Sequence, residues 1–161
     1  MAKINAKRKG NKNELELVKI LNDRFGNGKK VFSRTPMSGG WGGATNREIR
    51  EDMEYEQKLT LASDVIAPNN FKYIIEHKAY KSASFWDLFN DSSDLNEWII
   101  QVSQDALWVD KKPMLIVKYN NKKRIVYIKE KVDSYVFEWG GWYCYWLEEL
   151  LKQKDEFFYR R

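Results

Sequence analysis

Apolar positions in this chain repeat with two periods. Over residues 11–25, Leu17, Val18, Leu21 and Phe25 share one stripe at about 100° per residue, with Glu16, Lys19 and Asp23 opposite. That predicts a helix, with Asn11 or Asn13 as its N-cap. A second helix is predicted from about Ser93 to Asp110, where Leu95, Trp98, Ile99, Val102, Ala106 and Val109 share a face. "VFSR" at 31–34 reads as a short strand and the glycine-rich "TPMSGGWGGATN" after it as irregular. Residues 47–60 are charged and read as a helical or mobile insertion.

The remaining apolar runs are short and strand-like. "SDVIA" and "FKYIIEHKA" are joined by the turn Pro68-Asn69-Asn70, and "PMLIVKY" and "RIVYIK" form a hairpin around Asn120-Asn121. "YVFEWGGWYCYWL" reads as a last hairpin about Gly140-Gly141, before a short terminal helix through Leu147 and Leu151. The order helix, strands, helix, strands predicts an α/β (α+β) fold with a mixed sheet and helices packed on it. No repeat or linker divides residues 1–161, so one domain is expected.

Composition narrows the classes. The chain is 43% hydrophobic and 15% aromatic, which fits a globular protein rather than a disordered one. No apolar run approaches the roughly 20 residues of a membrane span, and the N-terminus lacks a signal-peptide core, so a cytoplasmic protein is expected. Cys144 is the single cysteine and His77 the single histidine, which leaves an intramolecular disulfide or a Cys/His zinc site without material.

The charge of +5 is segregated along the chain. Lys3, Lys7, Arg8, Lys9 and Lys12 form a basic arm over residues 1–10 and just beyond, with no acid before Glu14. Residues 111–131 carry Lys111, Lys112, Lys118, Lys122, Lys123, Arg124, Lys129 and Lys131 against Glu130 alone, whereas 82–110 hold acids and no Lys or Arg. Such segregation suits one basic face for a polyanion; a mixed solvated surface is the alternative.

Certain carboxylates then stand out. Glu14 lies in the middle of an apolar helical stripe, where a charge is costly unless paired or bound to a cation, although acids also suit the first turn of a helix. Asp64 opens a strand whose next residues are apolar, and Glu76 and Lys78 close the partner strand. Period-two alternation puts Glu76 and Lys78 on one face with Ile74 and turns His77 away. Three carboxylates at the ends of core elements suit Mg²⁺, and the lysine can offset phosphate charge or assist proton removal from water. Glu56-Gln57-Lys58 and Asp110-Lys111-Lys112 match the acid-x-Lys spacing too, but neither ends an apolar strand. The plain alternative for Glu76 and Lys78 is a same-face ion pair on an edge strand.

The arrangement resembles the PD-(D/E)xK nuclease superfamily, and in detail the archaeal and phage Holliday junction resolvases. "KGNKNELELVKILNDRF" is similar to their opening Lys-Gly-x-x-x-Glu helix, "VFSRTPMSGG" to their Val-x-Arg-Ser-x-Gly-Ser segment, and "SDVIAP" and "IIEHK" to their Asp and Glu-x-Lys motifs. "KKPMLIVKY" resembles their later Pro-hydrophobic-Lys strand, so the likeness runs over roughly residues 9–128. Residues 41–61 form an insertion, and the aromatic C-terminal extension, 132–161, is unmatched from Tyr135 onward. Trp139, Trp142 and Trp146 there offer interface material, with core packing as the alternative.

The resemblance implies a restriction-endonuclease-like core and a catalytic set of Glu14, Asp64, Glu76 and Lys78. Glu14, Asp64, Glu76 and the main-chain carbonyl of His77 would hold Mg²⁺, with Mn²⁺ as a substitute and no small-molecule cofactor. Lys7, Arg8, Lys9, Lys12, Ser33, Arg34 and Ser38 would contact DNA, with the glycines after Arg34 letting the main chain come close. The implied partners are a branched DNA, the four-way junction, and a second copy of the chain. A homodimer presents two identical sites to a two-fold substrate, as paired symmetric nicks require. The implied setting is a prokaryotic cytoplasm, the gene being prokaryotic or phage-encoded. Another PD-(D/E)xK nuclease without junction preference, and a catalytically silent DNA-binding protein, are the other readings.

Overall fold

Helix α1 (Ala6–Phe25) begins several residues before the expected Asn cap. Lysine, arginine and alanine are good helix formers, so the basic segment extends the helix without any apolar period to announce it. The computed structural model describes residues 6–36, 53–90 and 93–161; for 6–9 and 85 it describes the backbone alone. Leu17, Val18 and Leu21 are buried along α1, as the stripe predicts. The helix stops at Gly26, where a Cβ would meet the Lys29 carbonyl oxygen at 2.1 Å and that of Asn22 at 2.6 Å. Asn22 then ties down the returning chain, its Oδ1 accepting from the backbone N–H groups of Val31 and Phe32 at 2.7 and 2.8 Å.

The central sheet holds β3 (Tyr73–Tyr80), β4 (Lys112–Tyr119), β5 (Arg124–Ile128), β6 (Phe137–Trp139) and β7 (Trp142–Trp146) in the order β3-β4-β5-β7-β6. β3 and β4 are parallel, connected through α3 (Asp94–Trp108), and every other pairing is antiparallel. α3 is capped by Ser93, whose Oγ accepts from the Asn96 N–H. It covers the face of Ile74, Leu115, Val117 and Tyr127, while α1 covers the opposite face of Tyr73, Ile75, Met114, Ile116 and Val126. Both faces of β4 are therefore buried, which accounts for its nearly unbroken apolar run. This mixed α+β sheet flanked by helices is the expected restriction-endonuclease-like class.

A two-stranded ladder lies outside this sheet, pairing β1 (Ser33–Arg34) with β2 (Val65–Ile66), Arg34 opposite Val65. Within the insertion, α2 (Tyr55–Ala62) leads into β2; residues 41–52, and Ser38 before them, lie outside the described residues. Ser63 clamps β2 onto β3, its Oγ donating to the carbonyls of Val65 and Ile75 and accepting from the Ile75 N–H at 3.0 Å.

The C-terminal extension is integral to the core. β6 and β7 complete the sheet through a two-residue turn whose Gly140 and Gly141 have φ of 55° and 78°, the left-handed pair that favours glycine. Trp142 is buried and Trp139 donates from its indole N–H to the Leu88 carbonyl, so packing accounts for both, and Trp146 is partly exposed. α4 (Leu147–Leu150) and α5 (Asp155–Phe158) follow. Phe158 enters an aromatic cluster with Phe25 and Phe71, its ring 5.0 Å from that of Phe25. Among the described residues, no helix is long and apolar enough to cross a membrane.

Candidate active site

β3 is one edge of the five-stranded sheet, and its C-terminal half carries the Glu-His-Lys triplet. Glu76 and Lys78 point to the α3 side with Ile74, as alternation requires. Glu76 is buried, and Lys78 Nζ stands 2.6 Å from its Oε1 and 3.3 Å from Gln101 Oε1 on α3. At this depth the pair is not an ordinary surface salt bridge, because Glu76 loses most of its water and Lys78 stands against it as the compensating charge.

Asp64 approaches the same strand from the edge. Its backbone N–H donates to the Ile75 carbonyl at 2.9 Å, its own carbonyl accepts from Thr35 at 3.0 Å, and its Oδ2 accepts from the His77 N–H at 2.8 Å. A strand residue points its N–H and its C=O to the same side, so the His77 carbonyl also faces this open edge, beside Asp64. Burial and the negative charge of Glu76 push the Asp64 carboxyl up to about 8, with Glu14 adding to the effect, while the His77 N–H and Lys78 oppose it. Crowded anions of this kind are what a divalent cation relieves.

The His77 imidazole points the other way, into the α1 side. Burial, with Arg124 and Lys78 nearby, pushes it down to about 3, so it is neutral at ordinary pH. Its Nε2 has no partner among the described residues. What reaches the edge of β3 from this residue is its main chain.

Glu14 comes from α1 and is nearly buried at 9% exposure. Arg34 Nε holds its carboxylate in an ion pair, while Arg34 Nη2 donates to Asn11 Oδ1 at 2.8 Å. Arg34 lies against Glu14 because the β1–β2 ladder delivers it to the first half of α1. Ser33 is half-buried beside it and Lys12 is exposed on α1. Lys7, Arg8 and Lys9 ride on the first turns of that helix, with side chains outside the described residues, as is all of Ser38.

Among the described residues, no three carboxylate, histidine or cysteine side chains stand together as a ready-made ligand group. Glu14 is turned to Arg34 and Glu76 to Lys78. Asp64, Glu76 and the His77 carbonyl nonetheless supply oxygen donors of the kind Mg²⁺ takes, usually one or two carboxylates with waters and substrate phosphate. A buried Asp64, held at the β3 edge by the His77 N–H and standing near Glu76, is the observation that makes this set fit a cation.

Three supporting groups carried no sequence signal. Gln101 fixes Lys78 from α3, and Asn11 fixes Arg34. Thr35 is buried and ties β1 to Ser63, its Oγ1 donating to the Ser63 carbonyl at 2.7 Å. Each acts through a partner distant along the chain, and none belongs to an apolar period.

A family model described as "Phage putative PDDEXK endonuclease" matches residues 5–138. The match runs from the N-terminal end of α1 into β6 and takes in the 41–61 insertion and the whole Asp64–Lys78 segment. No curated protein and no solved structure matches the chain.

Proposed function

The chain belongs to the phage PDDEXK endonuclease family, and from that premise we propose that it cuts four-way DNA junctions through Glu14, Asp64, Glu76 and Lys78. Membership makes it a nuclease of the PD-(D/E)xK superfamily, whose members act on DNA and generally depend on a divalent metal. The observation that carries the site assignment is the edge of β3. There one strand presents Glu76 and Lys78 on one face and the His77 N–H to Asp64, and Asp64 feels the charges of Glu76 and Glu14.

Each residue then has a distinct part. Asp64, Glu76 and the His77 carbonyl would hold Mg²⁺, or Mn²⁺ in its place, and Glu14, ion-paired with Arg34, would be a further ligand. When bound, the metal neutralises and polarises the scissile phosphodiester. The His77 N–H keeps Asp64 oriented. Lys78, steadied by Gln101, faces the phosphate, where it offsets developing charge and orients the attacking water. Arg34, with Ser33, Ser38 and the basic N-terminal residues Lys7, Arg8, Lys9 and Lys12, meets the DNA backbone.

The junction preference and the homodimer rest on the motif-by-motif likeness to junction resolvases. A two-fold dimer with one site per copy matches two symmetric nicks on a two-fold branch. The family match spans the insertion that those resolvases lack and describes an endonuclease without naming a junction, so DNA cutting without junction preference is the second reading. The deciding experiment compares a synthetic four-way junction with linear duplex of the same sequence, in Mg²⁺, Ca²⁺ and EDTA. Paired nicks in the junction alone support resolution; equal cutting of both substrates supports the second reading. No cutting of either in Mg²⁺ or Mn²⁺ overturns the nuclease assignment for these residues.

A further inference from the structure

The basic run 111–131 is not used by the β3-edge site, and the structure divides it in two. Lys111 donates to the Asn69 and Phe71 carbonyls, and Lys112 pairs with Glu130. Lys129 sits over the Trp142 ring, and Lys131 over Tyr135 and Tyr143. Those four brace the fold. The other four, Lys118, Lys122, Lys123 and Arg124, line a groove of about 540 Å³ together with Arg24 and Lys152; Lys123 pairs there with Glu148, Arg124 with Glu16, Arg24 with Asp155 and Lys152 with Glu149, so the charge left over comes from Lys118 and Lys122.

The position of this groove matters more than its charge. Along the α1 face of the sheet, one cross-strand row runs His77, Ile116, Val126, and two residues further along the strands the next row on that face runs Ala79, Lys118, Arg124. The apolar α1 face therefore turns cationic at the first row beyond His77, on the opposite side of the sheet from Glu76 and Lys78. Arg124 marks the join: it bonds the Asn13 carbonyl at 3.3 Å and Glu16 at 3.1 Å on α1, next to Glu14, and its charge reaches His77. Further out, Lys118 Nζ donates to the Tyr119 and Lys122 carbonyls, shaping the turn that presents the exposed Lys122 and Lys123 side chains. Neither Lys118 nor Lys122 has a carboxylate partner among the described residues.

The geometry points to this groove as a track for the DNA sugar-phosphate backbone, gripping the substrate beyond the scissile phosphate along α1 and the β4–β5 turn. A cationic groove that meets α1 beside Glu14, through Arg124, has its natural occupant in the same polyanion. The inference rests on the DNA reading of the site, but not on its cleavage chemistry or junction preference.

The test pairs two variants with the same charge change. One is Lys122→Glu with Lys123→Gln, in the groove, where Gln can still bond Glu148. The other is Lys129→Glu with Lys131→Gln, past the far end of β5. Binding to a long duplex and to a four-way junction is measured in Ca²⁺ over a range of salt, with thermal melting as the check on folding. The groove variant should lose about tenfold or more in affinity, and its log K against log salt should flatten by roughly 0.9 for each phosphate it no longer neutralises. The distant variant should lose less than about threefold, as expected for a long-range charge effect alone. Equal losses in both, or wild-type binding and slope in the groove variant, overturn the track. If wild type binds but cuts nothing and the groove variant still loses binding, the nuclease reading falls and the track stands. If wild type cuts and the groove variant binds normally, the track falls alone.

Discussion

Replacing Asp64 by Asn tests the site without relying on activity, which the loss of almost any metal ligand would abolish. In the metal-free fold the Asp64 carboxyl is raised from 3.8 to about 8, first by burial and then by Glu76. A carboxyl raised in the fold binds its proton more tightly there than in the unfolded chain, so metal-free stability falls as pH rises between those two values. At about 1.4 kcal/mol per unit, keeping Asp64 protonated while the unfolded chain releases its proton costs the fold a ceiling of roughly 4 kcal/mol by pH 7. Asn cannot ionise and still accepts from the His77 N–H, though a neutral acceptor gives back about 1 kcal/mol of that bond. A net gain of roughly 1–3 kcal/mol remains, or about 3–10 °C in Tm for a chain of this size.

The assay is thermal unfolding of both proteins from acid to pH 8.5, in EDTA and in Mg²⁺. Asp64→Asn should be the more stable in EDTA at pH 8 and no more stable near pH 3, below both values, where Asp64 is mostly protonated in the folded and the unfolded chain alike. Mg²⁺ should raise the Tm of the wild type at pH 8 and leave the variant nearly unmoved. His77 shapes the acid side: its folded value of about 3 lies below its ordinary 6.5, so stability is lost as pH falls through that window. Taken together, the two groups place the metal-free optimum between about pH 4 and 6.5, where their slopes cancel. An Asp64→Asn protein no more stable than wild type in EDTA at pH 8 would show that the carboxylates are not crowded, and the metal argument would lose its footing.

Other outcomes follow from the same geometry. Lys78→Ala should leave Ca²⁺-supported DNA binding nearly intact while slowing single-turnover cleavage by ~100-fold or more; wild-type cleavage would reduce the Glu76–Lys78 pair to a structural contact. Arg34→Ala should free Glu14, tightening Ca²⁺ or Tb³⁺ binding by titration while cleavage falls, and unchanged metal affinity would remove Arg34 from control of that ligand. His77→Ala should keep most of the cleavage rate, since its main chain is what meets Asp64, and should lose the acid-side fall in stability. Near-complete loss of cleavage in a folded His77→Ala protein would put the imidazole into the chemistry.

Local patterns carried the β3 reading, and distant contacts set its limits. Period-two alternation suffices to put Glu76 and Lys78 on one face, and apolar periodicity suffices for α3, β4 and β5, because their neighbours along the chain decide which side is buried. The start of α1 was not visible that way: residues 6–10 have helix propensity and no apolar stripe. The partner of Arg34 was not visible either. A guanidinium at the end of a short strand can face phosphate or a carboxylate, and the choice here depends on β1 pairing with β2, residues 34 and 65 being far apart in sequence. The C-terminal extension had no motif to align, yet its aromatic residues close the sheet and the Phe25–Phe71–Phe158 cluster. Burial, not resemblance, explains them.

The open edge of β3 ties the fold to the chemistry. An edge strand leaves every second residue's N–H and C=O without a ladder partner, and proteins usually blunt such edges. On β3 the outward groups of Ile75 go to Ser63 and Asp64, and the N–H of His77 goes to the Asp64 side chain. The edge is thus closed by a serine and a carboxylate in place of another strand, and that substitution leaves the His77 carbonyl facing an anionic corner. A further strand hydrogen-bonded to β3 would satisfy the backbone equally well, but it would take up that carbonyl and displace Asp64. The sheet grows instead on its other side, through β5, β7 and β6. For this chain, the direction in which the sheet is extended and the place where a cation can be held are one structural choice.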